Sequence, residues 1–219
     1  MKCGASRVVI TPRVGVDLAG FAARQGPSVG VHDDLYARTL YLAAGDERLL
    51  WLHADLIGFS RELTAEVRGR LAAESGLASR QILLSATHTH SGPATVFLRW
   101  CGNMDGDYMA ALPGYLLQAA RDAIAAAEDV TLRVGEGRCT LGQDRRPPGR
   151  WSHADSALPV VGFQRGDGSY AALLANYAMH NVALSSENRH ISGDVSGAAA
   201  RHVEAHLLDP CERAGHTHA

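Results

Sequence analysis

Leu35-Tyr36-Ala37-Arg38-Thr39-Leu40-Tyr41-Leu42-Ala43-Ala44-Gly45-Asp46-Glu47-Arg48-Leu49-Leu50-Trp51-Leu52-His53-Ala54-Asp55-Leu56 is the stretch whose reading decides the fold class. Two apolar runs, 35–43 and 48–56, flank a turn at Gly45-Asp46, so the segment reads as a β-hairpin and supplies antiparallel strands. Ser60 then precedes Leu63, Val67 and Leu71, an N-cap followed by apolar positions at helical spacing that end near Gly76. Gln81 to Ala86 is a further strand. Hairpins mixed with helices predict an α/β sandwich: a mixed sheet flanked by helices rather than a purely parallel one.

Working outward, Arg7 to Ile10 is a short β-branched run closed by Thr11-Pro12. The Ala- and Leu-rich stretch 107–128 predicts a long helix from about Pro113 onward. Strands are expected at 130–134, 160–164 and 170–178, the last two joined by a hairpin turn at Gly166-Asp167-Gly168. A last helix over 196–208 is stopped by Asp209-Pro210. With no repeat, low-complexity tract or linker, the 219 residues are expected to form one domain.

Composition narrows the function. Apolar residues make up 46% of the chain, which argues against disorder. The 21 Lys plus Arg are outnumbered by 23 Asp plus Glu, so there is no basic surplus for nucleic acid. No apolar run approaches the roughly 20 residues a membrane-spanning helix needs. The N-terminal residues carry no signal-peptide core, and the expectation from the sequence as written is a cytoplasmic protein. Cys3, Cys101, Cys139 and Cys211 are scattered, without a C-x-x-C pair. The 11 histidines stand out, about twice the number expected for this length. Histidine is the commonest metal ligand, so any metal would be held by His and carboxylate.

Ser85-Ala86-Thr87-His88-Thr89-His90-Ser91-Gly92-Pro93 sets two histidines two residues apart at the end of a predicted strand. On an extended backbone, residues i and i+2 share a face, so both imidazoles can converge on one point; the bland alternative is two surface histidines beside a loop. His180 closes the apolar run ending in Asn176-Tyr177-Ala178-Met179, and reads either as a rim residue or as part of the same site. The polar connection Asn188 to Asp194 follows, with Asp194 an N-cap or a functional carboxylate. In Gln143-Asp144-Arg145-Arg146-Pro147-Pro148-Gly149-Arg150, the arginines are either solvated or a charged fork for an anionic or carbonyl-bearing substrate. Asp55 is a candidate buried carboxylate that orients a histidine ligand. His202 and His206, at i and i+4, are a weak metal pair because the H-E-x-x-H context is missing. His32, His53, His153, His216 and His218 read as structural or surface residues.

Four blocks in order carry a resemblance. They are Gly30-Val31-His32-Asp33-Asp34-Leu35-Tyr36-Ala37-Arg38, Ala86-Thr87-His88-Thr89-His90-Ser91-Gly92-Pro93, Asp144-Arg145-Arg146, and Asn176-Tyr177-Ala178-Met179-His180 continuing to Ile191-Ser192-Gly193-Asp194. From about Ser6 to about His206, the chain resembles the N-terminal, catalytic part of the neutral/alkaline non-lysosomal ceramidases. These are zinc amidases that split N-acylsphingosine into sphingosine and fatty acid. The resemblance implies Zn2+ as cofactor, His88 and His180 as zinc ligands, His90 as a second histidine facing the substrate, Arg145 as an active-site arginine, and a lipid amide as substrate. Family members are usually secreted or membrane-associated.

The family's further Glu and Tyr ligands and its proposed Ser nucleophile come from chain beyond the matched stretch, so residues 1–219 are expected to correspond to a ceramidase-like N-terminal domain lacking the family's C-terminal part. Ser196, in Gly193-Asp194-Val195-Ser196-Gly197, falls too early in the order to be that serine. Zinc catalysis needs about three protein ligands and an open position. A third would come from Asp55, Asp194 or a partner chain. The alternatives are an inactive domain that binds a lipid or a partner, and a metal hydrolase of another amide or ester.

Overall fold

The computed structural model describes residues 1–145 and 154–208. In chain order the elements are β1 (Lys2–Val9), β2 (Gly30–Val31), β3 (Tyr36–Ala44), β4 (Glu47–Ala54), α1 (Arg61–Ser75), β5 (Ile82–Ala86), α2 (Gly106–Ala125), β6 (Glu128–Asp129), β7 (Thr131–Arg138), β8 (Ala157–Gln164), β9 (Tyr170–Ala175), β10 (His190–Ile191) and α3 (Asp194–Val203), followed by a π-helical turn, Glu204–Leu208.

The hairpin at the centre of the sequence is the centre of the fold. β3 and β4 pair antiparallel across Gly45-Asp46, and Gly45 takes φ 57°, a left-handed conformation that costs glycine little. β4 then pairs parallel with β5 through the α1 crossover, and β1 adds antiparallel on the other side of β3. The five-stranded order is β5-β4-β3-β1-β6, a mixed sheet as expected. Alternation along β4 sends Leu50, Leu52 and Ala54 to one face, where they are buried with Leu63, Val67 and Leu71 of α1 and Leu112, Leu116 and Leu117 of α2. The opposite face, with Cys3 of β1 and Leu40 and Leu42 of β3, packs on Phe163 and Ala172 of the antiparallel sheet β7-β8-β9. Helices, mixed sheet and second sheet thus make three layers.

Small residues bring α2 close. A Cβ on Gly4 would lie 1.9 Å from the Ala123 carbonyl oxygen, and Ser6 Oγ donates to the Ala119 carbonyl at 2.6 Å. Ser60 caps α1 by accepting from Leu63 N, and Gly76, at φ 72°, ends it. The long helix differs from expectation: it begins at Gly106, with Pro113 inside it. Asp105 accepts from Tyr108 N at 2.9 Å and caps the first turn, so the proline is no start signal. β1 likewise begins at Lys2 rather than Arg7, because its whole length pairs with β3. Among the described residues, no helix is long and apolar enough to cross a membrane.

The parallel pair β2 and β10 brings residues 30–31 beside 190–191. Asp33 fastens that junction, accepting from Ser192 Oγ at 2.5 Å, Gly193 N at 2.9 Å and Arg201 at 2.6 Å. The start of α3 is thereby held against the segment that follows β2.

Candidate metal centre

His88 and His90 lie just past β5. The parallel ladder runs on briefly, with Thr87 N donating to Ala54 O at 2.9 Å and His88 N to Leu56 O at 3.0 Å. His88 then takes φ 62°, and the chain turns. A left-handed backbone costs a non-glycine residue about 1–2 kcal/mol and persists only where its surroundings enforce it. The His88 ring is also fixed: Nδ1–H donates to the Ile57 carbonyl at 2.7 Å. That bond puts the proton on Nδ1 and leaves the Nε2 lone pair free, the tautomer a metal ligand requires.

His90 is buried, and its ring and that of Phe21 meet edge to face with centroids 4.8 Å apart. Gly20, at φ 99°, passes so close that a Cβ there would fall 2.4 Å from His90 Nδ1. His180 follows β9 on a segment outside any strand. Its Nε2 lies 2.9 Å from Nε2 of His90, and its ring stacks on His88 with centroids 5.1 Å apart. One ring nitrogen from each of His88, His90 and His180 falls within 4.8 Å of the others, a spacing that can hold a metal ion.

The electrostatics favour neutral imidazoles. Burial first, then the neighbouring positive charges of His180, His88 and Arg24, push the His90 pKa down to about 4. Burial, then His88 and Arg145, lowers that of His180. With His90 and His180 neutral near pH 7, their rings present lone pairs, and the donor set fits a metal cation that takes imidazole nitrogen. His90 Nδ1 is buried and has no hydrogen-bond partner among the described residues. Beside this group a cleft of about 340 Å³ is lined by Asp17, Phe21, Arg24, Phe97, Leu98 and Trp100.

The two neighbouring histidines therefore converge for a reason other than the one expected. They lie beyond the strand rather than on one pleated face, and the left-handed turn at His88 aims them. Asp55 does not orient a histidine: its buried carboxylate accepts from Tyr36 N at 3.0 Å and from Arg38 at 2.8 Å. Asp194 is the first residue of α3, with φ 54°, and accepts from Ala183 N, Leu184 N and Val195 N. Neither carboxylate joins the histidine group. Arg145 is exposed and close enough for its charge to act on His180. His206 Nδ1 donates to the carbonyl of His202 at 2.8 Å, one helical turn back, and the two rings stack with centroids 4.1 Å apart; neither belongs to the group of His88, His90 and His180. Arg146, Pro147, Pro148, Arg150, His153, Cys211, His216, His218 and the stop at Asp209-Pro210 lie outside the described residues. The supports supplied by Ile57, Gly20 and Phe21 escaped the sequence reading, because a backbone carbonyl carries no side-chain signal and the other two are distant in sequence.

The model of the family described as "Neutral/alkaline non-lysosomal ceramidase, N-terminal" matches residues 2–217. This chain belongs to that family. The neutral ceramidase of Mycobacterium tuberculosis is 28% identical over 85% of the chain, and that of Pseudomonas aeruginosa is 25% identical over 86%. Neutral ceramidase 2 of Arabidopsis thaliana is 24% identical over 88%. The chain spans 33%, 31% and 28% of those three proteins, about a third of their length. Among solved structures, one titled "Ceramidase complexed with C2" superposes on 93% of the chain with a TM-score of 0.82 at 22% identity, covering 35% of that structure's chain. The neutral ceramidase structure from Pseudomonas aeruginosa gives a TM-score of 0.81. The α/β fold of the family is thus present here.

Proposed function

We propose that this chain carries the metal-holding part of a ceramidase-type amidohydrolase, with His88 and His180 holding Zn2+ and His90 and Arg145 facing the amide of an N-acylsphingosine. The observation that supports this best is the convergence of His88, His90 and His180, with His88 already locked in the ligand tautomer by Ile57. Bound there, zinc supplies a Lewis acid for the amide carbonyl and lowers the pKa of water.

The chain's own groups do the rest. His90 Nε2 lies at hydrogen-bond distance from His180 Nε2, so one of the two nitrogens carries a proton there. Were His180 engaged as a ligand, His90 Nε2–H would be free to donate to the carbonyl oxygen. Arg145 adds a permanent positive charge close enough to act on His180. Phe21 packs against His90, and the adjoining cleft sets the apolar Phe97, Leu98 and Trp100 beside the charged Asp17 and Arg24, a mixed lining that offers contacts to both the polar and the apolar parts of a lipid amide. The remaining ligands come from outside these residues, and a partner chain is one source.

Metal analysis and chelator competition on the purified chain test this proposal. One zinc per chain is expected, lost in His88→Ala. Absence of zinc would sink the metal reading. N-acylsphingosine hydrolysis that disappears in His180→Ala would support the amidase, whereas zinc bound without hydrolysis would favour a lipid- or partner-binding domain or another amide or ester substrate. His90 within the same 4.8 Å group favours a second reading, in which it is a third metal ligand. His90→Ala separates the two: zinc retained with hydrolysis lost fits a substrate-facing role, and zinc lost fits a ligand.

A further inference from the structure

We propose that Asn181 is the positioning residue that sets the separation of His88 and His180, an inference that rests on the metal reading above. His180 has no strand to hold it. β9 ends at Ala175, and residues 176–189 join no strand. Upstream, Tyr177 OH bridges Gly142 N and the Cys139 carbonyl, and downstream the Asp194 carboxylate takes the amides of Ala183 and Leu184. Between these anchors, next to the ligand itself, stands Asn181, only 4% exposed.

Its hydrogen bonds reach the turn at His88, the backbone of His90 and the first turn of α3. Nδ2 donates to the Thr87 carbonyl, one residue before His88. The Asn181 carbonyl accepts from His90 N at 3.3 Å. Oδ1 accepts from Ser196 N at 3.0 Å and Ser196 Oγ at 2.9 Å, tying the unit to the first turn of α3. The amide orientation follows from its partners: Ser196 N–H can only donate and the Thr87 carbonyl can only accept. Only a carboxamide offers a donor and an acceptor on one flat group of this size. Asp keeps the acceptor and sets a second oxygen against the Thr87 carbonyl, and Ala keeps neither. Without the carboxamide, the long main-chain bond from His90 N to the Asn181 carbonyl and the contact between the His90 and His180 rings are what ties the two sides together, and the spacing of the His88 and His180 nitrogens is less firmly set.

The test compares wild-type chain with Asn181→Ala, Asn181→Asp and Ser196→Ala. Zinc affinity is read by competition with a chromophoric chelator, site geometry by the visible absorption of bound Co2+, and folding by near-ultraviolet circular dichroism of the metal-free proteins. Loss of a supporting group around a metal ligand typically costs about 10–100-fold in affinity. Asn181→Ala and Asn181→Asp are each expected to lose that much and to shift the Co2+ bands. Ser196→Ala keeps the Nδ2 bond and the Ser196 amide, and should lose less than either. A folded Asn181→Ala with wild-type zinc affinity and an unchanged Co2+ spectrum overturns the positioning role and leaves the metal reading intact. If Asn181→Ala does not fold, Asn181→Asp decides on the same criteria. A wild-type chain that binds no zinc overturns the metal reading, and this inference with it.

Discussion

The two sides of the histidine group are built by different means. His88 hangs from the mixed sheet, its backbone continuing the β4–β5 ladder through Ala54 and Leu56 and its ring tied to the Ile57 carbonyl. His180 hangs mostly from side chains, those of Tyr177, Asn181 and Asp194, with only scattered main-chain bonds such as His90 N to the Asn181 carbonyl beside them. Backbone ladders tolerate substitution of the side chains along them, because each bond belongs to the main chain; a side-chain clip is lost with one residue. The strand-held side should therefore respond to mutation through global stability, and the clip-held side through local geometry and metal affinity.

The largest expected effect is on the strand-held side. Leu52 is fully buried between β4 and the helices, so Leu52→Ala should cost about 2–5 kcal/mol in urea unfolding. The zinc affinity of the molecules that remain folded should be unchanged; a large affinity loss would break the contrast. Asp194→Ala comes next on the other side. It leaves the amides of Ala183 and Leu184 without their acceptor, at a cost of about 1–3 kcal/mol. Faster hydrogen exchange at those two amides and weaker zinc binding are expected, with Asp194→Asn intermediate because Asn keeps one acceptor and tolerates the φ of 54°.

A pH experiment sharpens the comparison further. His53 on β4 bonds Ser85 of β5 at 2.8 Å, and burial, then the Arg38 charge, lowers its pKa from 6.5 to about 4. The fold favours the neutral ring, so between those two values the unfolded chain binds more protons than the folded one. Its stabilisation is full above 6.5 and is lost as pH falls through about 4. Denaturation midpoints should rise with pH across that window, and His53→Gln should flatten the slope. An unchanged slope would remove the assigned cause. The smallest effect belongs to Gly45→Ala. The added Cβ meets nothing within 4 Å, so only the left-handed φ of 57° penalises it. A loss of about 1–2 kcal/mol in thermal unfolding is expected, with zinc binding unaltered.

The same contrast separates what was legible in the residues from what was not. The hairpin around Gly45-Asp46, the Ser60 cap and β5 could be read because turn chemistry, capping and apolar periodicity are local. The start of α2 misled because Pro113 is the stronger local mark, although Asp105 provides the cap. His88, His90 and His180 could be singled out by residue type and order, but the turn that aims His88 and the clip at Asn181 could not. Asp55 has the sequence context of a support for a histidine, but the fold pairs it with Arg38 and the Tyr36 amide.

By itself, the sequence determined the fold class, the family and the three histidines, since periodicity, turn residues and an ordered set of motifs need no contact beyond their own neighbourhood. Only the tertiary structure decided how those histidines meet. Thr87 and Asn181 are 94 positions apart, and His90 and His180 are 90 apart. Partners at such separations are chosen by the packing of the layers, which local preference does not encode.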